Sequence, residues 1–334
     1  MKAIPLVRVS SMLPVVKFLN QIGAPTERLL QQAKLSSLVL DNPNNLVPLY
    51  SSFAFAELAA RTEGLEHLTI LVSQQTQVAE MGQFGKLLCQ SLTLYDLLNR
   101  VVSNVTCNNS GARAWIDERG DQIWLHQQFI NAAKVEDQQA QYFACLMYLK
   151  IIQLVTGANW YPSALCVQAN ALKGVTKLEP FSGTKVFFNQ PSNAIALPKS
   201  LLSMPLQPTL NFTSSEQEHE TWQASAPVPD FTGSLRQLIR ALLQTGSPDI
   251  DQAATAAGMS VRSFQRRLTE ENLNYSRLVD QVRFEAATSW LQDPSIQIID
   301  IALELGYTDA SNFTRAFKRW TGISPREFRR LHKK

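Results

Sequence analysis

The chain has 334 residues, 45% apolar and 18% charged, with a net charge of +3. That length suits two domains, and that balance suits a globular protein rather than a disordered or fibrous one. No apolar run approaches the roughly 18 residues of a membrane span, and Arg8 interrupts the N-terminal apolar stretch where a signal segment would sit, so the expectation is a cytoplasmic protein without a membrane partner.

In chain order, helical spacing of apolar residues predicts helices over 52–61, 92–101 and 136–154. Alternation predicts strands over 112–116, 122–129, 164–168 and 185–189. The N-terminal part, residues 1–210, therefore reads as an α+β domain. The stripe Ala140, Phe143, Ala144, Met147, Ile151 and Leu154 suits a dimer face, and a core helix explains it equally well. His67, Arg113, Trp115 and His126 could meet a polar ligand, and each also reads as structural or surface. There is no Gly-rich phosphate loop, no G-x-S-x-G and no H-E-x-x-H; Gly82 and Gly85 lack the third glycine of a dinucleotide fingerprint. Cys89, Cys107, Cys145 and Cys166 are isolated, without a C-x-x-C or a paired His, and read as reduced thiols in or near a core. No cofactor, metal or catalytic residue is expected.

Residues 211–230 are polar, carry two prolines near their end and show no periodicity, which marks an interdomain linker. A helix begins near Phe231, with Leu235, Leu238, Ile239 and Leu242 on one face, and ends before the Gly246-Ser247-Pro248 turn. The remainder, 231–334, reads as all-α. The basic excess lies here: from Asp230 onward 15 Lys and Arg face 12 Asp and Glu, while residues 1–229 hold 16 of each. A basic end on a neutral body suits a polyanion.

Within this part a pattern occurs twice. Ile250, Ala253, Ala254 and Ala257 line a short helix, Gly258 ends it, and Ser260 caps a second helix with the spine Val261, Phe264 and Leu268. Arg262, Gln265, Arg266 and Thr269 fall together on its other side, a face that suits a major groove because Arg pairs bidentately with guanine and Gln with adenine. Next, Ile298, Ile301, Ala302 and Leu305 repeat the short helix and Gly306 the turn. Thr308 or Asp309 can cap the following helix, whose spine is Phe313, Phe317 and Trp320, with Asn312, Arg315 and Arg319 projecting elsewhere. Aligning the spines needs an offset of 49 against 48 for the glycines, so the second turn holds one extra residue. Between the units, 275–291 reads as one helix of roughly 25 Å at 1.5 Å per residue, enough to hold two recognition helices about one DNA turn, roughly 34 Å, apart.

The segment GYTDASNFTRAFKRWTGISPREFRR, starting at Gly306, closely resembles the signature of AraC/XylS-type transcription regulators, over residues 231–330 in all. The resemblance implies seven helices forming two helix-turn-helix units joined by a long helix. It implies base contacts from Arg262, Gln265 and Arg266 in the first unit and from Ser311, Asn312 and Arg315 in the second. Phosphate contacts are expected from Ser263, Thr269, Thr314, Lys318 and Arg319, and Gly322 and Pro325 fit the family's final turn. Asn272 stands where the family often has glycine, and Asn tolerates the left-handed conformation. More weakly, 45–62, 81–98 and 185–202 resemble the arabinose-binding-like effector domain of ornithine-utilisation and related regulators, which implies no particular ligand. The implied partners are double-stranded promoter DNA, RNA polymerase, a small-molecule effector and a second copy of the chain. Two alternatives are an N-terminal domain that only dimerises and a DNA-directed enzyme with a cysteine nucleophile.

Overall fold

The alternation of residues 122–129 becomes the second strand of a five-stranded mixed sheet. The computed structural model describes residues 3–130, 136–179, 181–206, 215–243, 246 and 248–332. Positions 207–214 (the expected domain end and linker start), Ser247 of the expected turn, and Lys333 and Lys334 of the basic tail lie outside the described residues.

The N-terminal part begins with β1 (Leu6–Arg8), α1 (Leu13–Gln21), α2 (Thr26–Gln32), β2 (Leu46–Pro48) and α3 (Leu49–Thr62). It continues through α4 (Leu68–Gln75), α5 (Gly82–Cys89), α6 (Leu94–Asn108), β3 (Ala112–Arg119) and β4 (Gln122–Phe129). Then come α7 (Gln138–Thr156), β5 (Ala164–Cys166), β6 (Lys185–Phe187) and β7 (Asn193–Pro198). β1 and β2 form an antiparallel pair. The larger sheet runs β3-β4-β7-β5-β6, antiparallel except between β5 and β6. β7 is a strand that alternation misses: Asn193 to Leu197 are buried without a break because the strand lies inside the sheet, so period two never shows.

This domain has two cores. One gathers α5, α6, α7 and the large sheet around Leu97, Leu125, Leu149, Ile151 and Leu197. The other gathers β1, α1, α2, α3 and α4 around Val9, Leu19, Phe55, Ala59 and Leu68. Where they meet lies a cavity of about 110 Å³, walled by residues of both, among them Val7, Met12, Phe53, Phe84, Phe129 and Met147. The stripe on α7 is spent here: Ala140, Phe143, Ala144 and Met147 line the cavity and Ile151 is fully buried. The core reading of that stripe accounts for these residues, with Ala140, Phe143, Ala144 and Leu154 half-buried.

In the segment read as a linker stands α8 (Glu216–Ala224), capped by Ser215, whose side chain accepts from the Glu218 N–H. Its one buried residue, Trp222, is fully enclosed in the first N-terminal core. A single large apolar residue in a polar stretch gives no periodicity, so the helix is silent in the sequence.

The C-terminal part holds α9 (Phe231–Leu243), α10 (Ile250–Ala256), α11 (Val261–Glu270), α12 (Tyr275–Leu291), α13 (Ile298–Glu304), α14 (Ala310–Thr321) and α15 (Pro325–Leu331). These are seven helices among the described residues, as the family resemblance implies. Phe231, Leu238, Phe264, Leu291, Phe313 and Phe317 are at its centre, and Ile4 and Leu6 from the start of the chain join the same core. The fold is thus an α+β domain followed by an all-α domain with two helix-turn-helix units joined by a long helix. Among the described residues, no helix is long and apolar enough to cross a membrane.

Candidate nucleic-acid interface

Each helix-turn-helix unit is built by the same two devices, a glycine turn and a side-chain cap. The short helix ends in a left-handed glycine, Gly258 at φ +66° and Gly306 at φ +76°. A side chain then caps the recognition helix: Ser260 accepts from the Ser263 N–H at 3.2 Å, and Asp309 from the Asn312 N–H at 2.8 Å. Of the two candidate caps in the second unit, Asp309 is the one used. The Asn312 N–H leads the effects that hold the Asp309 carboxyl below the usual carboxylate range. The cap is therefore complete at neutral pH and is lost only in acid, as pH falls from the unfolded value near 3.9 through the lower folded one. One residue, Met259, lies between Gly258 and its cap and two, Tyr307 and Thr308, lie between Gly306 and Asp309, which is the extra residue that the spine offset requires.

The glycines are held from outside as well. A Cβ on Gly306 would lie 2.4 Å from the Gly246 carbonyl oxygen and 2.7 Å from its carbon, whereas one on Gly258 would meet the Tyr50 ring at 2.3 Å. Backbone cannot yield as a ring can. Gly306→Ala is expected to cost about 2–4 kcal/mol, from left-handed strain plus overpacking, and Gly258→Ala less. Thermal unfolding of the two variants checks the order, and equal shifts would contradict the backbone clash.

The spines are inward: Phe264, Leu268, Phe313 and Phe317 are buried. On α11, Arg262, Gln265, Arg266 and Thr269 are exposed and Ser263 is half-buried. Arg266 has an exposed i,i+4 neighbour in Glu270 at 3.7 Å, a contact too weak and solvated to tether it. Arg267 turns the other way, its guanidinium 4.2 Å from the Phe231 ring. On α14, Ser311, Arg315, Lys318 and Arg319 are exposed, and Asn312 and Thr314 are half-buried. Arg319 reaches Asp280 of α12 at 3.4 Å.

Asn312 differs from the expectation of a simple exposed reader. Its Nδ2 donates to Thr308 Oγ1 and Asp309 Oδ2 at 3.0 and 2.7 Å, while its Oδ1 accepts from Arg315 Nη2. Both amide hydrogens and one acceptor site of the oxygen are thus used in joining the cap to Arg315. The signal in the sequence was the T-D-x-x-N spacing, which places cap and amide one turn apart.

Asn272 sits at φ +55° in the turn before α12, so asparagine takes the left-handed position there. Gly322 closes α14 at φ +79° and Pro325 opens α15 behind the Ser324 cap. Helix α12, 17 residues long, joins the units, and its buried face includes Leu278, Val282, Ala286 and Leu291.

None of His67, Arg113, Trp115 or His126 lines the N-terminal cavity. His126 is buried, stacked on Trp115 with centroids 4.8 Å apart and hydrogen-bonded to Ser192, and Arg113 lies over the same indole. Burial pushes all four cysteine thiols above their usual value, the opposite of an activated nucleophile.

Two helix-turn-helix units behind an α+β domain with an internal cavity define a DNA-binding regulator with a ligand-binding type of N-terminal domain. A family model described as the arabinose-binding domain of AraC transcription regulators, N-terminal, matches residues 23–206, more than half of the chain, and a helix-turn-helix domain model matches 253–331. The chain belongs to the AraC family of transcription regulators, a family of regulators and not of enzymes. It is 26% identical over 321 residues to the ornithine utilization regulator of Pseudomonas aeruginosa, covering 92% of each chain. It is 38% identical over 100 residues to the regulator VqsM of the same species, 29% of this chain and 31% of that one. The crystal structure of the P. aeruginosa regulator CdpR aligns with 96% of this chain and 98% of its own at 19% identity and a TM-score of 0.38.

Proposed function

We propose that the protein is a cytoplasmic, sequence-specific transcription regulator that sets α11 and α14 into two consecutive major grooves of promoter DNA. The observation that carries this reading is the matched pair of capped helices with exposed cations, joined by the single helix α12. Arg262, Gln265 and Arg266 read bases from α11; Ser311 and Arg315 do so from α14, with Asn312 contributing by holding Arg315 in place or by exchanging its internal bonds for a base. Ser263, Thr269, Thr314, Lys318 and Arg319 take phosphates, which position without specifying. The units are unequal: three exposed polar readers on α11 stand against a second helix whose asparagine is already engaged. The domain division at 1–210, 211–230 and 231–334, with α8 of the middle stretch packed into the first domain, the homodimer and an RNA polymerase contact belong to the same reading.

Control by a small-molecule effector is supported by how the cavity wall is tied to the DNA-binding part. Val7 lines the cavity. On either side of it in the same strand, Leu6 packs in the C-terminal core and Arg8 is fully buried against α8. The Arg8 guanidinium donates to the carbonyls of Trp222 (2.6 Å), Cys107 (2.9 Å) and Asn44 (3.0 Å) and lies 5.1 Å from the Trp222 ring centroid. The Ile4 N–H donates to Ser234 Oγ of α9 at 2.9 Å. A second tie runs through α3, where Leu49 lines the cavity and its neighbour Tyr50 covers the Gly258 turn.

Gel-shift or anisotropy titrations test the assignment with a DNA site selected from random sequence by the full chain. Arg266→Ala and Arg315→Ala are each expected to weaken specific binding by about 1–3 kcal/mol. Native affinity in both variants would remove the roles given to α11 and α14.

A further inference from the structure

We infer that the N-terminal cavity takes an uncharged, mainly apolar small molecule with one head group that both accepts and donates hydrogen bonds; this rests on reading the cavity as the effector site. The walls are dominated by aromatic, aliphatic and methionine side chains, and among the described residues no Lys, Arg, His, Asp or Glu lines them. A charged ligand would be buried there without a counter-ion, which costs several kcal/mol. A sugar would leave most of its hydroxyls facing Phe, Met and Val.

Among the described residues, three that line the cavity carry a buried polar atom with no partner: Asn108 Oδ1, Gln127 Nε2 and Tyr148 OH. Asn108, Gln127 and Tyr148 are 5%, 2% and 7% exposed, so solvent does not serve these atoms. The surrounding network fixes the orientation of Gln127. The Gln168 backbone N–H donates to Asn193 Oδ1 at 2.8 Å, which turns Asn193 Nδ2 toward Gln127 Oε1 at 2.7 Å and Gln141 Oε1 at 2.9 Å. Gln127 Nε2 is left as a donor. Asn108 Nδ2 is occupied by Ser11 Oγ at 3.0 Å, leaving Oδ1 as an acceptor. These atoms come from β4, α6 and α7, three elements that meet at the cavity.

Buried polar atoms without partners are rare in native proteins and costly. A donor, an acceptor and a phenol without partners, on three residues that line one apolar chamber, match an amide, or a hydroxyl beside a carbonyl, on an apolar body. The cavity of about 110 Å³ compares with the engineered cavity of about 150 Å³ that binds benzene, so the body is on the order of one ring.

The test uses the full-length protein with benzamide as the neutral amide probe and benzoate, L-ornithine, L-arabinose and toluene as comparators. Affinities come from calorimetry or from ligand-dependent unfolding temperature, and DNA affinity is measured separately at saturating probe. Benzamide is expected to bind at least about tenfold more tightly than benzoate, ornithine or arabinose. Tyr148→Phe, which keeps the ring, is expected to weaken benzamide about fivefold, the worth of one hydrogen bond, and to leave toluene within about twofold. Gln127→Met should do the same, and Tyr148→Phe decides if that variant loses the Asn193 network and fails to fold. Absence of benzamide binding, tighter binding of a charged probe or of arabinose, or equal loss of benzamide and toluene in Tyr148→Phe would overturn the ligand class. Benzamide binding by this pattern with unchanged DNA affinity would leave the ligand class standing and remove effector control.

Discussion

Raising monovalent salt from 50 to 200 mM is expected to weaken the complex with its selected DNA site about 500-fold. Arg262, Arg266, Arg315, Lys318 and Arg319 are the exposed cations on the two recognition helices. If these five cover phosphates or the rims of the grooves, the number of released counterions is about five, and the slope of log K against log salt is about −4.5. A fourfold change in salt then multiplies through that slope to the stated loss. The ion pairs that Arg266 and Arg319 make with Glu270 and Asp280 are exposed and long, 3.7 and 3.4 Å, and their exchange for phosphate costs little. Lys318→Ala should shallow the slope by about one and weaken binding alike on all sequences. Anisotropy titrations over five salt concentrations measure both, and a slope near zero would exclude DNA as the partner.

Phe317→Ala is expected to destabilise the C-terminal domain by about 3–5 kcal/mol. Phe317 is fully buried and sits among the rings of Phe284, Phe313, Trp320 and Phe328, with centroids 5.4 to 6.3 Å away. Truncation removes the shared member of this aromatic cluster, so α14 loses its hold on α12 and α15 together. The loss exceeds that of any single recognition side chain, and DNA binding should fail through unfolding of the second unit rather than through a missing contact. Hydrogen exchange distinguishes the two, since amides of α14 should exchange far faster in this variant and normally in Arg315→Ala. Phe317→Leu, keeping most of the volume, should cost less than about 1.5 kcal/mol. Native protection of α14 in Phe317→Ala would contradict the packing argument.

The C-terminal domain was legible in the sequence because each of its signals is local. Caps, glycine turns and helical spines lie within about fifteen residues of one another, and α12 begins and ends at the positions that periodicity gives. What stayed hidden depends on distant parts of the chain. The three partners of Asn312, which are Thr308, Asp309 and Arg315, are near in sequence, but only the folded cap shows that both its amide hydrogens are already engaged. Arg8 reads as a break in an apolar stretch and proves to be a buried clamp on three carbonyls from three regions. β7 is buried on both faces and so shows no alternation. The unpartnered polar atoms of the cavity's lining residues belong to Asn108, Gln127 and Tyr148, residues that look ordinary until α6, β4 and α7 meet. The candidates that looked ligand-like, Trp115 and His126, stack on each other instead.

Methylation protection of guanine N7 on the selected site tests most directly whether one chain reads two consecutive grooves. Two protected patches on one face of the duplex, about 10 base pairs apart, are the expected result with the full chain. Arg262→Ala with Arg266→Ala should erase one patch and Arg315→Ala the other, with the larger loss of affinity on the α11 side. A single protected patch per bound chain, or both patches lost together on changing either helix while α14 keeps its native exchange protection, would contradict the account.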